Sequence, residues 1–171
     1  MTYQARSKYV WGIPLVGAIL TLIGFLTPMI YISDHSGSLY FWMWDLTIGV
    51  FSGSPIEIVF IEDPDILYPS IIYSVLVFIC VIVLFTSVIS YKRSIVDNRS
   101  TGIASLSASI VTIICTIIWM VTLEVAFSRH RPYSFWDITD PHFGLFGLFI
   151  GSGVSIAWYM YTRYTCIHRN V

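Results

Sequence analysis

Four long apolar stretches constrain this chain more than any other feature. They cover about residues 10–32, 67–91, 102–126 and 143–163. A helix needs about 20 mostly apolar residues to cross a bilayer, and in lipid only helices and closed barrels satisfy every backbone polar group. The pattern predicts an all-α membrane protein, a four-transmembrane-helix bundle in which residues 1–171 form a single tetraspan domain.

The composition favours the same class. Hydrophobic residues make up 56% of the 171 residues and charged residues only 11%, whereas a soluble domain carries about 25%. The first stretch is too long for the core of a cleaved signal peptide, so we expect it to be retained as a helix. The lipid bilayer is the expected partner, and no nucleic-acid partner is expected.

The distribution of basic residues predicts the orientation. Arg129 and Arg131 fall between the third and fourth stretches. The other seven basic residues fall on the opposite side: Arg6, Lys8, Lys92, Arg93, Arg99, Arg163 and Arg169. Cytoplasmic segments retain Lys and Arg during insertion. We therefore expect a multi-pass protein of the cell membrane with both termini in the cytoplasm.

The connector at 33–66, on the predicted outer side, has the pattern of β-structure. It contains no Lys or Arg and six acidic residues. Aromatic and β-branched runs lie on both sides of a Ser-Gly-Ser-Pro segment at 52–55, which is typical of a β-hairpin. The sequence predicts a small extracellular β-hairpin or sheet in this first outer loop.

The second outer connector, 127–142, repeats part of the first. A Trp-Asp-aliphatic-Thr pattern occurs at 44–47 and again at 136–139, as a duplicated helix-loop-helix unit would explain. The candidate partner-binding residues are Trp42, Trp44, Asp45, Trp136, Asp137, Arg129 and Arg131. Aromatic residues anchor many interfaces, but they also line the headgroup level of membranes. The two arginines are expected to pair with the acidic first connector, within one subunit or with a neighbour.

No pattern indicates a catalytic residue, a bound metal or a cofactor. Glu124 is the only acidic residue near a span, and we expect it to pair with the basic residues at 129–131. The sequence contains no Cys-x-x-Cys motif. An outer metal site made by His35, His130 and His142 is the alternative left open, since imidazole binds zinc and copper.

The fourth stretch carries small residues at four-residue spacing. Gly147, Gly151 and Ser155 fall on one helix face, and small residues allow membrane helices to approach closely. These helix-packing residues are expected to pack within the bundle or, as the alternative, to form a homo-oligomer contact.

The whole layout resembles the claudin and peripheral-myelin-protein group of tetraspan proteins. The shared features are four spans, cytoplasmic termini, a β-prone first outer loop with clustered tryptophans, a shorter second loop and a Gly-rich last helix. Trp42, Trp44 and Leu46 are loose counterparts of the tryptophan and Gly-Leu-Trp signature of that group, whose paired cysteines are missing from this loop. The resemblance implies a non-enzymatic protein that makes lateral or facing contacts through its outer β-structure.

We therefore expect an interaction or assembly protein, such as an adhesion, junction-like or accessory subunit, that forms a homo-oligomer or joins a larger membrane complex. The alternative is a channel or transporter subunit that handles cations or small molecules. Hydroxyl groups for such a path are available at Thr21, Ser74, Ser87, Ser105, Ser109, Thr112 and Thr116. A subunit of a membrane enzyme, with the outer histidines as its site, is a further alternative.

Overall fold

The described part of the chain forms four α-helices and one sheet. The computed structural model describes residues 10–34, 37–51, 55–60, 63–93, 98–129 and 134–167. Its helices are α1 (Gly12–Leu26), α2 (Pro64–Arg93), α3 (Asn98–Ser128) and α4 (Phe143–Ile167). Its strands are β1 (Ile30–Asp34), β2 (Gly37–Phe41), β3 (Leu46–Phe51), β4 (Glu57–Phe60) and β5 (Asp140–Pro141). A short 3₁₀ helix, Phe135–Asp137, precedes β5.

Three helices are long and apolar enough to cross a membrane. They are α2, the Ser100–Ser128 part of α3 and the Phe143–Arg163 part of α4. Helix α1 is also apolar but has 15 residues, which is about 22 Å at a rise of about 1.5 Å per residue. The prediction of a first helix over 10–32 is therefore too long.

Helix α1 ends early because of the residues that follow it. Thr27 is extended, with φ −101° and ψ 160°, and its N–H donates to the carbonyl groups of Ile23 and Gly24. A residue that precedes proline is disfavoured in the helical conformation, and Pro28 comes next. The chain then enters β1 at Ile30, so the end of the predicted helix belongs to the sheet.

Helix α2 begins before its predicted start at residue 67. Pro64 occupies the first helical position, where the missing N–H has no helical partner in any case. Oδ1 of Asp63 accepts a hydrogen bond from the backbone N–H of Asp65 at 2.9 Å, which caps the helix. Helix α4 begins at the predicted residue 143, and both α3 and α4 extend beyond their predicted ends.

The four helices pack side by side, each with two neighbours. Helix α1 contacts α2 and α4, and α3 contacts the same two helices; the contact of α1 with α4 is the most extensive. The largest apolar cluster lies where the sheet meets the bundle. Its buried members include Met29, Ile30, Met43, Trp119, Phe135 and Leu148. Sheet and helices therefore share one hydrophobic core.

The sheet is antiparallel, with the strand order β4-β3-β2-β1-β5. Strands β2 to β4 and the end of β1 come from the first connector, which confirms the predicted β-structure there. Strand β5 comes from the second connector and pairs with β1, with Ile30 opposite Pro141 and Tyr31 opposite Asp140. The two connectors therefore form one structural unit, which the sequence analysis did not predict.

One face of the sheet covers the end of the bundle. Side chains alternate between the two faces of a strand, and Ile30, Phe41 and Thr47 share one face because they are cross-strand partners. Ile30 and Thr47 are buried, and Phe41 packs against the core cluster. The outer face carries Tyr31, Tyr40, Ile48 and Ile58.

Candidate functional site

A tight turn between β2 and β3 carries three of the predicted contact residues. The Asp45 N–H donates to the Trp42 carbonyl at 3.1 Å, and the Trp42 N–H donates to the Leu46 carbonyl at 2.9 Å. Asp45 has a φ of 71°, which is in the left-handed region. In three-residue hairpin loops, such as 43–45 here, the last residue commonly has this conformation. Asp adopts this conformation more readily than most residues, so the chain turns here without Gly or Pro.

The two tryptophans of this turn have different roles. Nε1 of Trp42 donates to the backbone carbonyl of Leu26 at 3.0 Å, which attaches the turn to the last turn of α1. The ring of Trp44 meets that of Trp42 edge to face, at 6.4 Å between centroids. Trp44 is 38% exposed. Trp44 is thus the tryptophan of this pair that offers surface to lipid or to a partner.

Burial distinguishes Asp45 from the other candidate contact residues. Its side chain is 3% exposed, and neither carboxylate oxygen has a hydrogen-bond partner among the described residues. Burial disfavours the charged form of a carboxyl group and raises the pKa of Asp45 to about 6. The Thr47 hydroxyl, two residues on, is also buried and has no partner in the described part of the chain. Asp45 therefore faces the protein interior.

The second Trp-Asp pattern has a different local structure. Trp136 and Asp137 lie in the 3₁₀ helix. Oδ2 of Asp137 accepts a hydrogen bond from the Ser134 N–H at 3.2 Å, and the Ser134 hydroxyl accepts one from the Trp136 N–H. The Trp136 ring packs edge to face on Phe135 at 5.3 Å. Asp137 caps a turn at the surface, whereas Asp45 is buried, so the repeated sequence pattern does not place equivalent side chains in equivalent positions.

Glu124 holds the second connector against α3. Its Oε2 accepts hydrogen bonds from the Ser134 hydroxyl and from the Phe135 N–H, both at 2.9 Å. Charge-assisted hydrogen bonds of this type are stronger than neutral ones. The described partners of Glu124 are thus Ser134 and Phe135, at the start of the 3₁₀ helix. The pairing with Arg129 that the sequence suggested is not among its described hydrogen bonds.

Arg129 pairs with the acidic first connector, as the charge pattern suggested. Its guanidinium forms a salt bridge with the carboxylate of Asp65 at the start of α2. Both side chains are about 60% exposed, and exposed pairs contribute about 0 to 1 kcal/mol. The pair links the adjacent ends of α2 and α3. Arg131 lies outside the described residues.

The outer histidine site is only partly within the described residues. His142 has a buried Nδ1 without a partner in the described chain, and its ring lies 5.9 Å from that of Tyr40 and 6.3 Å from that of Tyr31. His35 and His130 lie outside the described residues. Among the residues that are described, no three His, Cys, Asp or Glu side chains are placed to hold a metal ion.

The small residues of α4 lie against α1. A Cβ atom on Gly147 would come within 2.7 Å of the Gly24 Cα, and one on Gly151 within 2.5 Å of the Thr21 backbone nitrogen. Ser155 lies beside Gly17. This face of α4 is therefore occupied within the subunit and offers no surface for a contact between subunits.

The seven hydroxyl residues considered for a cation path are all buried. Thr21, Ser109, Thr112 and Thr116 each donate to the carbonyl four residues earlier in their own helix, at 2.8 to 2.9 Å. In addition, Trp119 Nε1 donates to the hydroxyl of Ser70 at 3.1 Å. Such bonds within a helix satisfy Ser and Thr in packed apolar surroundings. Ser74 Oγ, by contrast, has no partner in the described chain.

The β4 edge of the sheet exposes apolar side chains. Strand β4 is an edge strand that pairs with β3. Ile56 and Ile58 are 66% and 64% exposed, and the neighbouring Val50 on β3 is 45% exposed. The contact residues predicted from the sequence are mainly aromatic and charged, and they do not include this edge. The alternation Ile-Glu-Ile-Val at 56–59 is nevertheless the signal of a strand with one exposed face.

Comparison with known proteins gave no match to a family model and none to a curated protein. The function is accordingly argued from the residues.

Proposed function

We propose that this chain is a four-span protein of the cell membrane that assembles through the sheet on its extracellular side. Three helices have the length and composition of spans. Helix α1 is shorter but lies along α4, with Gly17 beside Ser155 and Gly24 beside Gly147. A helix that packs over this length on a spanning neighbour occupies the same apolar layer.

The orientation follows from the charges at the two ends of the bundle. Lys92 and Arg93 end α2 on the side away from the sheet. The Lys92 ammonium lies 4.2 Å from the ring centroid of Trp11, just before α1. Basic residues favour the cytoplasmic side. This side is therefore proposed to be cytoplasmic, together with both termini, and the sheet extracellular.

The exposed β4 edge carries the proposal of an assembly function. An edge strand presents unpaired backbone N–H and C=O groups that another strand can bind. Soluble domains usually protect such an edge with charges or proline. Pro55 and Glu57 stand at this edge, yet Ile56 and Ile58 are both about two-thirds exposed. A second copy of the chain is the simplest partner, since two β4 strands pair with each other across a two-fold axis.

The resemblance to the claudin and peripheral-myelin-protein group is part of the same proposal. It is supported by four packed helices, a sheet built mainly from the first connector and a shorter second connector. It implies a non-enzymatic protein of the adhesion, junction-like or accessory class. In this proposal, Trp44 and the β4 edge make the contacts.

The test is the mass of the purified protein in lipid nanodiscs, compared with the variant Ile56→Lys/Ile58→Lys. We expect a defined oligomer for the wild type and a monomer for the variant, because two lysines repel a second copy of the edge. Ile138→Lys is the matched control, since Ile138 is 41% exposed in the second connector; it should leave the oligomer intact. A monomeric wild type would rule out self-assembly.

Cation handling is the second candidate function, and the buried hydroxyls favour it. Ser74 Oγ and Ser152 Oγ are buried and have no described partner, whereas most of the other hydroxyls donate within their own helices. Reconstituted liposomes would test this function. Cation flux that falls in Ser74→Ala would support it, and wild-type liposomes no more permeable than empty ones would exclude it.

A further inference from the structure

The turn around Asp45 contains three buried side-chain oxygen atoms that have no hydrogen-bond partner among the described residues. Both carboxylate oxygens of Asp45 and the hydroxyl oxygen of Thr47 are buried and have no partner among the described residues. The turn is attached to the last turn of α1 through Trp42 and Leu26. The C-terminal end of a helix carries partial negative charge from its free carbonyl groups. The local field therefore favours a positive species beside Asp45.

The described basic side chains do not supply that charge. Arg129, the basic residue at the sheet end of α3, is paired with Asp65. Lys92 and Arg93 lie at the opposite end of α2, and Arg163 lies 20 residues beyond the sheet end of α4. A buried carboxylate that stays charged without a partner is strongly unfavourable, so a species that is not part of the described chain must neutralise Asp45 whenever it is ionised.

We propose that Asp45 and Thr47 bind a small monovalent cation, sodium in the first instance, between the sheet and the end of α1. Oxygen atoms of carboxylate and hydroxyl groups are ligands for hard cations. A single positive charge neutralises the one carboxylate, whereas a divalent ion would leave an uncompensated buried charge. The backbone N–H of Asp45 donates to the Trp42 carbonyl, which fixes the backbone of Asp45 in the turn.

A proton competes with sodium for this site. Burial raises the pKa of Asp45 to about 6, so in slightly acidic solution the carboxyl group is protonated and neutral, and it no longer needs a cation. The sodium effect is therefore confined to neutral and alkaline pH. This behaviour is independent of whether the β4 edge assembles the protein.

The experiment is thermal unfolding of the full chain in nanodiscs of zwitterionic lipid, followed by the fluorescence of its six tryptophans. Sodium chloride replaces choline chloride at constant ionic strength. At a pH of about 8 we expect the Tm of the wild type to rise by about 3 to 5 °C at saturating sodium. At a pH of about 5 this rise should disappear. An equal Tm in sodium and in choline at the higher pH would overturn the proposal.

Three variants complete the test. Asp45→Asn keeps the shape of the side chain, removes the charge and should abolish the dependence on sodium. Thr47→Val keeps the carboxylate and should need several-fold more sodium for the same rise in Tm, and this variant serves if Asp45→Asn does not fold. Asp140→Asn, at an exposed residue of β5, should behave as the wild type. A sodium-dependent Tm in folded Asp45→Asn would also overturn the proposal.

Discussion

The indole Nε1 of Trp42 donates a hydrogen bond of 3.0 Å to the backbone carbonyl oxygen of Leu26, at the end of α1. The last carbonyl groups of a helix have no partner within the helix, and here the hairpin supplies one. The bond joins a residue of the sheet to a residue of the bundle 16 positions earlier. It explains why Trp42 is held in place while its neighbour Trp44 remains exposed.

The first prediction concerns this bond. Trp42→Phe keeps an aromatic ring and removes the donor, so the unfolding free energy should fall by about 0.5 to 1.5 kcal/mol. Thermal unfolding in detergent measures the change. Trp44→Phe is the control, because the Trp44 indole makes no hydrogen bond to the described residues, and this substitution should change the stability less. Equal effects of the two substitutions would argue against a special role of the bond to Leu26.

The second prediction concerns pH. The folded pKa of Asp45 is raised from 3.8 to about 6, so its contribution to stability is fully present below a pH of about 4 and is lost as the pH rises through about 6. In sodium-free buffer, Asp45→Asn should therefore be more stable than the wild type at a pH of about 8, by about 3 kcal/mol. At a pH of about 4 the two proteins should be similar.

Unfolding at both pH values in choline buffer tests the pH prediction. Asp137→Asn is the comparison, because it removes an exposed carboxyl group that caps the 3₁₀ helix. It should show no gain in stability at the higher pH. If Asp45→Asn had the same effect at both pH values, the carboxyl group of Asp45 would not be titrating in this range.

The third prediction concerns the contact of α1 with α4. Gly151→Ala places a methyl group within 2.5 Å of Thr21 backbone and side-chain atoms, and such overpacking destabilises by about 1 to 3 kcal/mol. Gly153 lies in the same helix, and a Cβ atom added to it would have no neighbour within 4 Å. Gly153→Ala should therefore be neutral or stabilising by up to about 1 kcal/mol. Equal effects of the two substitutions would show that the close approach of Gly151 to Thr21 does not limit the stability.

The sequence predicted the helices well because their signal is composition over long stretches. The end of α1 was misplaced because Met29 to Ile32 are as apolar as the helix before them, and hydrophobicity alone does not separate a strand from a helix. The local signal was Pro28, which ends the helix at the residue before it. Strand β4 (Glu57–Phe60) was predicted from its β-branched and aromatic residues and from the Gly and Pro turn residues before it.

The turn at Asp45 could not be predicted in the same way. It interrupts an aromatic run without Gly or Pro, and its local signal is an Asp that tolerates a positive φ. The burial of Asp45 depends on the sheet folding back onto the bundle, which is a tertiary contact. The pairing of β5 with β1 is likewise non-local, since Pro141 and Ile30 are far apart in sequence, and a two-residue strand has no periodicity of its own.

The last prediction concerns Glu124, which joins α3 to the second connector. Its carboxylate accepts from the Ser134 hydroxyl and the Phe135 N–H, so Glu124→Ala leaves both donors without this partner and should destabilise by about 1.5 to 3 kcal/mol. The connector that leads to β5 should also become more accessible, because the 3₁₀ helix loses its link to α3. Limited proteolysis between α3 and α4 measures that exposure directly.

Glu57→Ala, at an exposed residue of β4, is the control and should leave cleavage in this connector unchanged. Unaltered cleavage in Glu124→Ala would mean that the pairing of β5 with β1 holds the connector by itself.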